Sequence, residues 1–113
     1  MNPTVGRIVH YRLTEEDAEH VNRRRTTSVS VQERMPLVVD YVHGHAIHAW
    51  PQGAQAHIGL PAFDGQELPM LITRVRVESI NGQVFLEGND VLWVVDIREG
   101  IQNGQWHWPE REG

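Results

Sequence analysis

Consecutive arginines and several tryptophans are the side chains of this sequence best suited to hold a ligand. Guanidinium groups donate paired hydrogen bonds that match phosphate oxygens, and aromatic rings stack on nucleotide bases, contributing about 1–3 kcal/mol for each base. The arginines are followed directly by a threonine whose hydroxyl could help to hold a phosphate. We therefore predict a binding site for a phosphorylated small molecule and assign these residues to it: Arg23, Arg24, Arg25, Thr26, Trp50, His57, Trp106 and Trp108.

Each part of this set also has a purely structural interpretation. Three arginines in the last turn of a helix complement the helix dipole, whereas a phosphate prefers a helix N-terminus. Trp106 and Trp108 project from the same side of a strand, and they could close a hydrophobic core instead of contacting a ligand. Trp93 lies in the apolar run 91–97, which we interpret as a buried central strand, so its ring is assigned to the core.

The remaining polar residues predict neither a catalytic centre nor a metal site. The sequence has no cysteine, no HExxH motif and no glycine-rich phosphate loop, and no carboxylates are paired for acid–base chemistry. His43, His45 and His48 lie close together, but zinc needs about three ligands in fixed geometry, and turn or strand-edge positions also account for them. We predict a non-enzymatic protein with no catalytic residue, cofactor or metal, although histidine and arginine together could cleave a phosphodiester without a metal ion.

Length and composition predict one small cytoplasmic domain. The 113 residues leave room for a single domain over 1–113. The absence of cysteine fits a reducing compartment, no apolar run approaches the roughly 18 residues of a membrane-spanning helix, and the first residues do not resemble a signal peptide. The net charge is −5 and all ten basic residues are arginine. We therefore expect neither an extended nucleic-acid partner nor a membrane partner.

Alternation of apolar and polar residues predicts a mainly β fold with a minor helical part. We expect a small antiparallel β-barrel or a curled sheet, SH3-like in size, because closing or curling a sheet hides its edges. Thr14 is a good N-cap for one N-terminal surface helix over about 14–25. Residues 26–36 predict a flexible loop, with a short helical turn as the alternative, and 37–42 and 46–50 predict two short strands.

The Asn81-Gly82 pair is the strongest turn signal in the chain. A type I′ hairpin turn needs positive φ at both central residues, and asparagine followed by glycine satisfies this best. A two-residue turn at this point places Val77 opposite Leu86 on an inward-facing, apolar side of the hairpin. The pattern of alternating residues agrees with that register, so we predict a β-meander for the C-terminal half.

Several segments resemble a group of small proteins encoded by tailed phages and their prophages in high-GC bacteria. The similarity spans nearly the whole chain, although 37–49 is longer than expected for the group. The segments are VGRIVHY at 5–11, LTEEDA at 13–18, VNRRR at 21–25, GAQAHIG at 53–59, NGQVFLEGND at 81–90 and WHWPE at 106–110. The resemblance implies a non-enzymatic phage accessory protein, and counter-defence is a reasonable role for it.

Three functions follow as hypotheses. The leading one is a homo-oligomeric sponge that sequesters an immune-signalling nucleotide in the host cytoplasm. The second is a protein-binding module that inhibits a host or defence protein through an exposed strand edge or the 37–50 hairpin. The third is a minor virion or assembly component.

Overall fold

A five-stranded antiparallel sheet organises the chain, with one helix connected to its first strand. The computed structural model describes residues 2–34, 37–40, 45–48 and 57–110. The elements are β1 (Ile8–Arg12), α1 (Glu15–Arg34), β2 (Leu37–Asp40), β3 (His45–His48), β4 (Glu67–Val75), β5 (Ile80–Phe85), β6 (Val91–Ile97) and β7 (Trp106–His107). The predicted mainly β fold with one N-terminal helix is confirmed in its curled-sheet form, because the sheet does not close into a barrel.

The strands of the main sheet lie in the order β6-β5-β4-β1-β7, and every neighbouring pair is antiparallel. Strand β1 lies between β4 and β7, so that Tyr11 faces Leu68 on one side and Trp106 on the other. Strands β2 and β3 form a separate antiparallel pair. They agree with the predicted short strands over the positions that the structure describes, except that β3 begins one residue earlier, at His45.

One face of the sheet carries the residues of the hydrophobic core. In β1, Val9 and Tyr11 are buried and alternate with the exposed Ile8 and the half-buried His10, as the two-residue period of a strand requires. The helix covers this face through two buried residues, Ala18 and Val21. The core residues are Val9, Tyr11, Leu13, Ala18, Val21, Ala62, Leu68, Met70, Ile72, Ile80, Val84, Leu86, Leu92, Val94 and Trp106.

The chain that follows β6 brings the two edges of the sheet together at one end. The Trp106 amide donates to the Arg98 carbonyl at 3.0 Å, and the Gly100 amide donates to the Trp106 carbonyl at 2.8 Å. These bonds place the start of β7 beside the extension of β6. The sheet therefore curls around Trp106 while its edges remain separate elsewhere.

The helix begins as predicted but extends further. The Asp17 amide donates to the Thr14 hydroxyl oxygen and the Thr14 amide donates to the Asp17 carboxylate, both at 3.0 Å, which is a reciprocal capping box. The helix then continues to Arg34. Its predicted end at 25 and the predicted loop over 26–36 are therefore wrong for 26–34, while 35 and 36 lie outside the described residues.

None of the described helices has the length and apolar composition needed to cross a membrane.

The predicted Asn-Gly turn is wrong, because Asn81 and Gly82 lie inside β5. The hairpin turns four residues earlier, where the Arg76 amide donates to the Ser79 carbonyl at 2.8 Å. Val77 is consequently fully exposed at the tip instead of facing inward.

Tertiary contacts explain why asparagine and glycine occur at positions 81 and 82. The Asn81 side chain accepts a hydrogen bond from the Asp96 amide at 3.0 Å. At Gly82 a Cβ atom would lie 2.6 Å from the Met70 side chain and 2.8 Å from the Leu71 carbonyl oxygen. The glycine is therefore needed for a close approach between strands and not for a turn.

Strand β6 is an edge strand of the sheet and not the predicted central one. Leu92 and Val94 are buried, but Trp93 is 64% exposed and Val91 and Val95 are also exposed. The assignment of Trp93 to the core is therefore wrong. An edge strand with one covered face can have apolar residues on both sides, so a continuous apolar run does not by itself distinguish an edge from a centre.

Candidate functional site

Three members of the predicted ligand-binding set converge on one buried carboxylate, that of Asp90. Its oxygens lie 3.3 Å from an Arg24 guanidinium nitrogen, 3.1 Å from an Arg25 guanidinium nitrogen and 3.1 Å from His57 Nδ1. The Asp90 side chain is only 2% exposed. We call these four residues the Asp90 clasp.

Further hydrogen bonds of the clasp join distant parts of the chain. Arg25, which is itself buried, donates to the Leu60 carbonyl, and Arg24 donates to the Val91 carbonyl at 3.3 Å. The clasp thus connects α1 to the segment before β4 and to the turn before β6. Because Asp90 already pairs with both guanidinium groups, a phosphate would have to compete with a buried carboxylate to reach them.

The other arginine and threonine of the predicted set face elsewhere. Arg23 lies exposed on the helix surface, in a shallow depression lined also by Glu16, Asp17 and Glu19. Those carboxylates oppose the approach of a phosphate. The Thr26 hydroxyl donates to the Asn22 carbonyl one helical turn earlier, at 3.0 Å. Neither residue joins the Asp90 clasp in a common pocket.

The tryptophans separate into two environments. Trp106 is 3% exposed and belongs to the core, whereas Trp108 is half-buried. Their rings meet edge to face with centroids 5.5 Å apart, and the Arg7 guanidinium lies 5.4 Å from the centre of the Trp108 ring. Trp50 lies outside the described residues. The described members of the predicted set are therefore not assembled into one site.

A pocket of about 170 Å³ lies at the end of the sheet where its edges meet, with Trp106 in its wall. The buried indole Nε1 of Trp106 has no hydrogen-bond acceptor within the part of the chain that the structure describes. We call this cavity the Trp106 pocket. Its full lining is Pro3, Arg76, Val77, Glu78, Ser79, Ile80, Glu99 and Trp106.

The lining of the Trp106 pocket carries charges of both signs. Arg76 supplies donors, and Glu78 and Glu99 supply acceptors. Sequence reasoning selected Trp106 but not these partners, because they come from the β4–β5 turn and from the chain after β6. The Asn-Gly signal predicted the wrong register for the β4–β5 hairpin. The observed register is what brings the turn residues to Trp106.

A second group that the sequence did not indicate lies on the opposite face of the sheet. His10, Glu67 and His107 each offer one ligand atom within 4.8 Å of the others. They are far apart along the chain, and only the pairing of β1 with β4 and β7 brings them together. The side chains of His43, His45 and His48, which the sequence analysis considered as zinc ligands, lie outside the described part of the structure.

Comparison of the chain with known protein families, with curated proteins and with solved structures finds no match. The resemblance to small phage proteins therefore stays a prediction.

Proposed function

We propose that this protein is a non-enzymatic binding protein that captures a small polar molecule in the Trp106 pocket. The observation that carries the proposal is the Trp106 pocket itself, which is lined by an indole ring together with Arg76, Glu78 and Glu99. An aromatic wall with a few charged groups is typical of small-molecule sites, because the ring supplies apolar contact and the charged groups orient the ligand.

The size of the pocket restricts the ligand. Pockets for drug-sized molecules occupy about 300–1,000 Å³, and this one is about 170 Å³. A whole dinucleotide is too large to be enclosed in it. A compact molecule, or one end group of a larger one, fits the space.

The charges of the lining restrict the chemistry. Arg76 can donate to an anionic group, and the Ser79 hydroxyl can donate or accept. Glu78 and Glu99 can accept from an amino or hydroxyl group of the same molecule. We therefore propose a ligand that combines one anionic group with hydrogen-bond donors, such as an amino acid or its phosphorylated form. The phosphorylated ligand predicted from the sequence stays a proposal within this class.

The alternative of a protein-binding module has one supporting observation. Trp93 is largely exposed on β6, and β6 has no neighbour on its outer side among the described strands. An unpaired strand edge with exposed apolar side chains is a common place for another chain to bind. A protein partner would contact the Trp93 ring, whereas a pocket ligand would contact the Trp106 ring.

Indole ¹⁵N–¹H resonances distinguish the two functions in one experiment. The chain is titrated with amino acids, phosphoserine, adenosine monophosphate and cyclic dinucleotides. We expect a saturable shift of the Trp106 indole resonance with at least one compact zwitterion, and Arg76→Gln should weaken that binding about tenfold or more, since hydrogen bonds to charged groups contribute most. Arg74→Gln, which removes an exposed arginine near the end of β4 and outside the pocket, is the matched control.

Two results would contradict the pocket assignment. One is a Trp106 resonance that no compound moves, and the other is a shift that Arg76→Gln leaves unchanged. A shift of the Trp93 resonance alone when a protein is added would favour the protein-binding alternative.

A further inference from the structure

Three potential metal ligands lie on three adjacent strands of the outer sheet face. His10 on β1 is directly opposite His107 on β7. Glu67 on β4 lies two residues before Pro69, the residue that faces His10. Because side chains two residues apart share a face of the sheet, the two imidazoles and the carboxylate project to the same side.

The distances suit a metal ion. The ligand atoms all lie within 4.8 Å of one another, and His107 Nε2 is 3.4 Å from Glu67 Oε1. Zinc binds nitrogen and oxygen ligands at about 2.0–2.1 Å, so neighbouring ligand atoms of a tetrahedral site lie about 3.3 Å apart. The His107–Glu67 distance already matches, and the His10 ligand atom, which lies within 4.8 Å of both, has to move closer to complete the site.

The geometry points to a binding site for a divalent transition metal ion formed by His10, Glu67 and His107. Two imidazoles and one carboxylate suit zinc, and the same set binds iron(II) in other proteins. Three protein ligands leave at least one coordination position for water or another small ligand. The Glu67 side chain is 46% exposed and that of His107 is 21% exposed, so this position is open to solvent.

The simpler interpretation is an ion pair with a ring contact. The His10 and His107 rings meet edge to face at 5.5 Å, and a protonated His107 would pair with Glu67. That arrangement accounts for His107 and Glu67 through charge, but it accounts for His10 only through a ring contact. A metal ion satisfies all three groups together, and the strand backbones hold the ligands in place.

Two neighbouring features limit the affinity. His107 Nδ1 is buried without a hydrogen-bond partner among the described residues, and ligating histidines that lack such a partner bind metal about 10–100-fold more weakly. Arg12 is opposite Glu67 in the register, although its guanidinium donates to the Ile101 carbonyl at 2.9 Å. Its positive charge opposes a cation, so we expect moderate and exchangeable binding.

This site is independent of the Trp106 pocket. His107 follows Trp106 directly, and successive residues of a strand point to opposite faces. The ligand proposed above contacts the inner side of β7, and the metal ion contacts the outer side. Either proposal can therefore fail without the other.

Zinc titration of the full chain without a histidine tag tests the proposal. We expect one zinc ion per chain by calorimetry, and visible absorption typical of tetrahedral cobalt when Co²⁺ replaces it. Glu67→Gln and His10→Gln should each weaken zinc binding about tenfold or more. His20→Gln removes an exposed histidine of the helix and should leave binding unchanged. Because Glu67 is half exposed, its substitution does not threaten the fold, and circular dichroism verifies this.

Histidine ¹⁵N chemical shifts locate the ion. Zinc should move the ring nitrogens of His10 and His107, and not that of His20. The proposal is overturned if the folded chain binds no zinc, or if zinc binds with full affinity to both Glu67→Gln and His10→Gln.

Discussion

Tyr11 connects the sheet to the helix through one hydrogen bond. Its hydroxyl donates to the Asp17 carboxylate at 2.5 Å, and its side chain is only 2% exposed. Burial, and secondarily the hydrogen bond to Asp17 and its negative charge, raise the pKa of Tyr11 well above its usual value. The phenol therefore remains protonated in the folded protein under conditions in which a free tyrosine ionises.

This shift predicts a loss of stability in alkaline solution. Below about pH 10 both states hold the Tyr11 proton, and no pH dependence arises from it. Above that pH the unfolded chain releases the proton while the folded chain keeps it, so the free energy of unfolding falls by about 1.4 kcal/mol per pH unit. The chain has no lysine, so few other groups titrate in this range.

Urea unfolding between about pH 8 and about pH 11 measures the effect. Tyr11→Phe keeps the ring but removes the ionisable group, and its stability should depend much less on pH over the same range. Equal slopes for the two proteins would show that Tyr11 is not the group responsible.

At the scale of elements, the β4–β5 hairpin shows how a local turn signal is overruled. Asparagine followed by glycine favours a tight turn, yet in this chain the asparagine side chain bonds to β6 and the glycine allows Met70 to pack closely. The turn forms instead at 76–79. The N-cap of α1 at Thr14, by contrast, involves only residues 14–17, and the local signal was sufficient to predict it.

The observed hairpin predicts that Val77→Asp is nearly neutral for stability. Val77 is fully exposed at the tip of the turn, and exposed substitutions usually change the free energy of unfolding by no more than about 0.5 kcal/mol. Ile80→Ala, at a buried position of β5, should destabilise by about 2–5 kcal/mol. Urea unfolding at neutral pH compares them, and a large loss for Val77→Asp would favour the register with the turn at Asn81-Gly82.

At the scale of the whole molecule, the Asp90 clasp and a contact of Asn22 connect the helix to the segments before β6 and β4, in addition to the Tyr11–Asp17 hydrogen bond. The Asn22 side chain donates to the Ala62 carbonyl and accepts from the Ala62 amide, both at 2.8 Å. The partners in the clasp and in the Asn22 contact are separated by long stretches of chain. They therefore join the helix to parts of the chain that are distant in sequence.

Asp90→Asn should destabilise the protein by about 3–5 kcal/mol, because it leaves the buried Arg25 guanidinium without a counter-charge. Glu78→Gln is the control, since the Glu78–Arg98 pair is 3.6 Å long and largely exposed and contributes no more than about 1 kcal/mol. Urea unfolding gives both values, and hydrogen exchange should show faster exchange in α1 for Asp90→Asn. Equal stabilities of the two variants would contradict a structural role for the clasp.

The sequence by itself determined those features that depend on neighbours a few residues away. The helix start at Thr14 and the mainly β composition were predicted because capping and strand periodicity are local properties. The position of β6 at an edge, the exposure of Trp93 and the pairing of Arg25 with Asp90 were decided by the tertiary structure. The same holds for the His10–Glu67–His107 group, because strand order and register determine which distant residues meet. A short segment of the chain contains only one partner of each such contact, so local sequence patterns do not indicate it.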